Sequence, residues 1–195
     1  MPDHAIFALS AALAQVLTNL DNLAALIALI LVLGAAKAVA GYVVAQGIVL
    51  AGAMAVALGM SGTVPGWTGY LGVIPLGLGL VGLWRQFSGG GAGKGASLSS
   101  GASLLVTTLL FLSLSMDSFV VMAPLLADSL PSYRIAGVIG AALAVLGLGV
   151  LALVVGSRAA GPVEGWTRRL EKLGPFVMLL VGFYILSDSG TDMVP

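Results

Sequence analysis

The sequence predicts an all-α integral membrane protein: six transmembrane helices arranged as two inverted three-helix repeats. Three observations carry that expectation. The chain of 195 residues is 59% hydrophobic and only 8% charged, where soluble domains carry about 25% charged residues. Its mean hydropathy of +1.11 leaves little room for a soluble reading. Each half also strands one aspartate in a long apolar stretch. Asp21 is the only charged side chain between His4 and Lys37, and Asp117 the only one between Lys94 and Asp128.

A helix needs about 20 apolar residues to cross the hydrocarbon core. Six segments meet or approach that length: 6–33, 38–60, 67–87, 101–127, 135–156 and 173–187. Residues 88–100, rich in Gly and Ser with Lys94 as their one charge, read as a flexible linker. Residues 1–87 then form a first three-helix repeat and 101–195 a second. The N-terminus does not read as a cleavable signal peptide, because it carries Asp3 instead of a basic region and its apolar run is too long.

Orientation follows from the basic residues. The loops after segments 1, 3 and 5 hold Lys37, Arg85, Lys94, Arg158, Arg168, Arg169 and Lys172, against Arg134 alone on the other side. Basic loops stay in the cytoplasm, so both termini are expected outside a bacterial-type inner membrane. His4 falls at the outer end of the first helix and reads as a surface residue.

The halves resemble one another. Gly66-Trp67-Thr68 precedes the third segment and Gly165-Trp166-Thr167 the sixth; Pro75 and Gly82 are seven apart, as are Pro175 and Gly182. Asp21-Asn22 matches Asp117-Ser118 at an offset of 96. Three helices per half force the second half to enter the membrane upside down, the arrangement that puts a transporter's site at the midplane between halves. Gly41, Ala45, Gly137 and Ala141 read as close-packing positions.

An ionisable side chain at bilayer depth costs several kcal/mol and marks a substrate, ion or proton path. In an uninterrupted first helix, Thr18, Asp21 and Asn22 lie on neighbouring ridges, with Gln15 and Asn19 close by. In the fourth, Ser113 and Asp117 are four apart, Ser115 and Ser118 three apart, and Met116 offers a thioether. Pro124 has no N–H, which frees the Val120 carbonyl as a further candidate ligand. Asp21, Asp117, Asn22, Ser118, Thr18 and Met116 thus form an expected metal-binding set, hard oxygens with optional sulfur, suited to a divalent cation. Met54, Met60 and Met122 read as core filler, and Gln46 either reaches this centre or bonds a neighbouring helix.

Composition excludes other classes. Net charge is zero, so there is no basic footprint for nucleic acid. Cysteine is absent and His4 is the only histidine, which removes thiol relays, thiolate metal sites and haem ligation. The glycines around Lys94 lack the spacing of a nucleotide-binding loop. The chain is therefore read as a transporter and not an enzyme, with no resident cofactor. Its partners are the lipid bilayer and a divalent metal ion as substrate, and a homo-oligomer is left open.

At the two aspartate motifs the sequence resembles the cadmium-resistance transporters of the LysE superfamily. Thr18-Asn19-Leu20-Asp21-Asn22-Leu23 is similar to that family's T-N-I-D-[DN]-[LI], and residues 117–127 to its D-N-x-x-V-x-x-P-L-x-A. Gly72 to Gly79 resembles its third helix. Ser118 departs from the asparagine usual there, and Ser115-Met116-Asp117 is also similar to the superfamily's manganese exporters. The resemblance implies secondary active efflux of a divalent cation, with cadmium first and manganese or zinc as alternatives. Asp21 and Asp117 would be its carboxylate ligands, and proton exchange the simplest coupling. An exporter of an amino acid or other small organic solute on the same scaffold is the second reading.

Overall fold

The computed structural model describes residues 2–63, 70–88, 103–158 and 174–187. They form eight α-helices: α1 (Pro2–Thr18), α2 (Leu20–Leu33), α3 (Ala35–Thr63), α4 (Val73–Phe87), α5 (Leu104–Leu114), α6 (Met116–Asp128), α7 (Pro131–Arg158) and α8 (Gly174–Leu186). The Gly-Trp-Thr pair, Lys94, Arg168, Arg169, Lys172 and linker residues 89–100 lie outside the described residues.

Two stretches are long and apolar enough to cross a bilayer singly, Ala35–Met60 and Pro131–Ser157. Two more cross only as bent pairs: α1 with α2 at 59°, and α5 with α6 at 62°. The described residues therefore hold two membrane spans, or four when each bent pair counts as one. Described lengths of 15 residues for α4 and 13 for α8 correspond to about 20 Å each, short of a hydrocarbon core of about 30 Å.

The helices sort residues by size. α3 turns Ala38, Ala45, Ala53 and Ala57 wholly inward. Large side chains such as Leu9, Leu13, Leu143 and Val150 point outward and are more than half exposed. Between lipid-solvated helices the hydrophobic effect supplies no drive, so close backbone approach through small residues replaces it. The four expected close-packing positions behave this way. Ala45 and Ala141 are wholly buried. A Cβ on Gly41 would meet Thr107 Cγ2 at 2.6 Å, and one on Gly137 would meet Phe7 Cε1 at 2.9 Å.

α1 packs chiefly on α7, while α5 and α6 pack chiefly on α3. Each long helix thus lies along the broken pair of the other half. α4 and α8 pair with one another through two facing glycines: a Cβ on Gly72 would sit 2.6 Å from the Gly182 carbonyl oxygen, and one on Gly182 would sit 2.8 Å from that of Gly72.

At Gly140 an added Cβ would run into the Ala8 backbone, which no rotamer change relieves. Gly140→Ala is therefore expected to destabilise the protein by about 1–3 kcal/mol. Gly147→Ala is the control, because nothing lies within 4 Å of its added methyl. Thermal unfolding in detergent checks the pair, and equal midpoints would refute the close α1–α7 contact.

Two corners complete the frame. Gly34 joins α2 to α3 alone, at φ 84° and ψ 153°, a region open essentially to glycine only. Arg134 is buried in the first turn of α7 and caps the end of α6, its Nε donating to Ser129 O (2.8 Å) and its guanidinium to Ala127 O (3.2 Å). His4, expected at the surface, has one side covered. It is half-buried and stacks on Tyr133 at 4.2 Å, where a flat aromatic face covers the ring.

Candidate functional site

Asn19 and Ser115 interrupt the two bent pairs, and they do so in the same way. Asn19 N donates to Val16 O (3.2 Å) and Ser115 N to Leu112 O (3.3 Å), each a tightened turn in place of the α-helical bond. Asn19 O then accepts from Leu23 N, and Ser115 O from Phe119 N, which starts the next helix. The side chains repeat the pattern: Asn19 Nδ2 donates to Gln15 O (2.8 Å) and Ser115 Oγ to Phe111 O (2.6 Å). Every residue in one set lies 96 positions from its counterpart in the other. The backbone angles agree too, φ −113° and ψ 19° at Asn19 against φ −93° and ψ 12° at Ser115.

These breaks correct the expectation of unbroken helices, and with it the shared ridge of Thr18, Asp21 and Asn22. Asn, Ser and Thr compete for nearby backbone groups and so bend a helix without glycine or proline. Pro124 lies inside α6, and the interruption comes nine residues before it. Ser113 is cut off from Asp117 by the break, and its exposed hydroxyl donates to Leu110 O instead.

Both aspartates become the second residue of a new helix, α2 for Asp21 and α6 for Asp117. A carboxylate there is favoured by the helix dipole and unpaired N–H groups, which lowers the cost of charge at bilayer depth. Asp21 is half-buried, and its Oδ1 accepts from Asn22 N at 2.8 Å. Asp117 is exposed and Met116 is 57% exposed, whereas Thr18, Asn22 and Ser118 are buried.

One polar network joins the breaks. Gln46, from the middle of α3, donates through Nε2 to Asn19 Oδ1 (2.6 Å) and Ser115 Oγ (2.7 Å), and its Oε1 accepts from Gln15 Nε2 (2.9 Å). Asn22 Nδ2 donates to Asn19 Oδ1 (2.7 Å) and Ser115 Oγ (3.1 Å). Ser118 Oγ accepts from Asn19 Nδ2 (2.7 Å) and shares a hydrogen bond of 3.1 Å with Thr18 Oγ1. Of the expected set, the structure brings Thr18, Asn22 and Ser118 into this network, and Asp21 adjoins it. Met116 and Asp117 face outward.

Gln15, Asn19, Gln46 and Ser115 hold the centre together; Gln46 was expected either here or bonding a neighbouring helix, and the other three beside the aspartates. Their signal was the concentration of amides and hydroxyls around two lone aspartates. The network also leaves oxygens over: Gln15 Oε1, Asn22 Oδ1, Tyr42 Oη and Thr108 Oγ1 are buried with no hydrogen-bond partner. Among the described residues, no three of His, Asp and Glu come together as a metal cluster. A cation here would meet single carboxylates and neutral oxygens, a donor set for hard ions. Comparison with family models, with curated proteins and with solved structures returns no match.

Proposed function

We propose that the chain is a secondary active exporter of divalent metal cations, cadmium first among them, built as two inverted three-helix repeats. The observation that supports it most is the duplicated helix break. Two interruptions with the same bond pattern, 96 residues apart, each start a half-helix that carries an aspartate. Broken helices meeting between two repeats are a recurring construction of transporter sites, where half-helix C-terminal ends and unwound carbonyls favour cations. Here the C-terminal ends of α1 and α5 come to the network.

In this reading Asp21 and Asp117 supply the charge that binds the ion. An exposed carboxylate midway along a membrane-spanning pair is tolerated where water reaches it, so Asp117 stands on the aqueous approach and Asp21 at the enclosed end. Proton exchange is the simplest coupling. Binding of the metal displaces protons from the two carboxylates, and protons arriving from outside displace the metal. Rocking of one repeat against the other alternates access. The resemblance to the cadmium-resistance transporters points to the same activity. Export of an amino acid or other small organic solute is the second reading, and the absence of a basic residue in the amide network counts against it.

Inverted membrane vesicles with an acid interior test the proposal, with cadmium and manganese supplied separately. Uptake of one metal by the unmodified protein, dependent on the gradient and lost in Asp117→Asn, is the expected outcome. Folded protein that takes up neither metal would sink the cation reading and move the organic-solute exporter forward.

A further inference from the structure

Tyr42 is wholly buried on α3, one turn before Gln46. Its ring is held edge-on against Phe111 at 5.4 Å, so its position is set by packing. Its hydroxyl nevertheless has no hydrogen-bond partner. An unpartnered buried hydroxyl is unfavourable anywhere, and more so where no bulk water can reach it. A phenylalanine would fill the same space without that cost.

What lies near the hydroxyl suggests why it is kept. The Asp21 carboxylate is within Coulombic reach of it. Asn22, the next residue, presents a second buried oxygen without a partner, Oδ1. The orientation of that amide is set by its bonds, because both N–H groups of Asn22 are used, on Asn19 Oδ1 and Ser115 Oγ. Turning it over would exchange a donor for an oxygen facing Asn19 Oδ1. Two buried neutral oxygens on the packed helices α2 and α3 therefore each lack the donor or cation that would complete them, and one of them belongs to the residue next to Asp21.

We propose that Tyr42 is a residue of the ion site, its hydroxyl oxygen completing with Asn22 Oδ1 and the Asp21 carboxylate an oxygen shell for a divalent cation. This rests on the cation reading above and places the ion at the Asp21 end. Hard divalent ions take six or more oxygens and accept neutral ones beside a carboxylate. Water supplies the remainder.

Tyr42→Phe removes a single oxygen and keeps the ring contact. Full-length protein in detergent is titrated with cadmium chloride and, separately, manganese chloride, and its thermal midpoint is read without metal. The expected result has two parts that move in opposite senses. Affinity for the bound metal falls about tenfold, the usual scale for one polar ligand, and the midpoint of the metal-free protein holds or rises. Metal affinity within about twofold of the unmodified protein would overturn the assignment of Tyr42 and leave the cation reading standing. A fall in both affinity and midpoint would mark Tyr42 as structural. Failure of the unmodified protein to bind either metal would overturn both proposals together.

Discussion

Under the proposed metal export, Asp21→Asn is expected to lower cadmium affinity about 100-fold and Asp117→Asn only about tenfold, and neither variant is expected to support vesicle uptake. The two carboxylates occupy equivalent positions in the repeated breaks, yet their surroundings differ. Asp21 is half-buried beside Asn22, and Asp117 is exposed. Removing one partner of an enclosed charge pair costs about 3 kcal/mol or more, which corresponds to a factor of about 100. A charge contact in water is worth about 1 kcal/mol, for which a factor of about ten is generous. In the proposed cycle the ion passes from the open end to the enclosed one, so uptake would need both aspartates. Equilibrium dialysis alongside vesicle uptake separates binding from movement. Equal losses of affinity in the two variants would refute the asymmetry.

Gln46→Leu is expected to produce the largest loss of stability among substitutions of comparable volume. The glutamine makes three side-chain hydrogen bonds, one to each break and one to Gln15. Asn19 Oδ1 and Ser115 Oγ would each keep Asn22 as a partner, but Gln15 Nε2 would lose its bond to Gln46 in a buried position. Side-chain hydrogen bonds within membranes average about 0.6 kcal/mol and reach about 1.7 kcal/mol. With the orphaned donor added, the loss comes to about 2–4 kcal/mol, or a fall of roughly 5–15 °C in thermal midpoint at this chain length. Gln46→Glu keeps the shape and the acceptor for Gln15 Nε2 but turns an oxygen toward Asn19 Oδ1 in place of the donor, so it too is expected to lower the midpoint. A midpoint unchanged in Gln46→Leu would show that the breaks hold without their shared amide.

Much of this was legible in the chain and some was not, for definite reasons. The helical class, the lone aspartates and the small residues Gly41, Ala45, Gly137 and Ala141 follow from composition and spacing, which act locally. Of the six segments expected from apolar length, four match a long helix or a bent pair, while α4 and α8 are too short within the described residues to count as spans. The breaks could not be read in the same way. Neither Thr18-Asn19-Leu20 nor Leu114-Ser115-Met116 contains glycine or proline, and the interruption depends on side chains bonding back to the helix. Those side chains are held by partners far along the chain, such as Ser118 for Asn19 and Gln46 for Ser115. Pro124, the most conspicuous helix breaker in that region, lies inside α6, nine residues beyond the break. Gln46 stood out as a lone amide on an apolar helix, whereas nothing local marks Tyr42, whose proposed part depends on neighbours from other helices.

The crossed packing has a consequence for how such a chain is made. α1 is translated before the helix it leans on, α7, which comes in the second half. α3 likewise exists before α5 and α6, the pair it will cover, have been translated. Neither half can complete its packing before the other is made, so each is a guest of the other. A chain that stops between them leaves α3 without the α5–α6 pair it packs against.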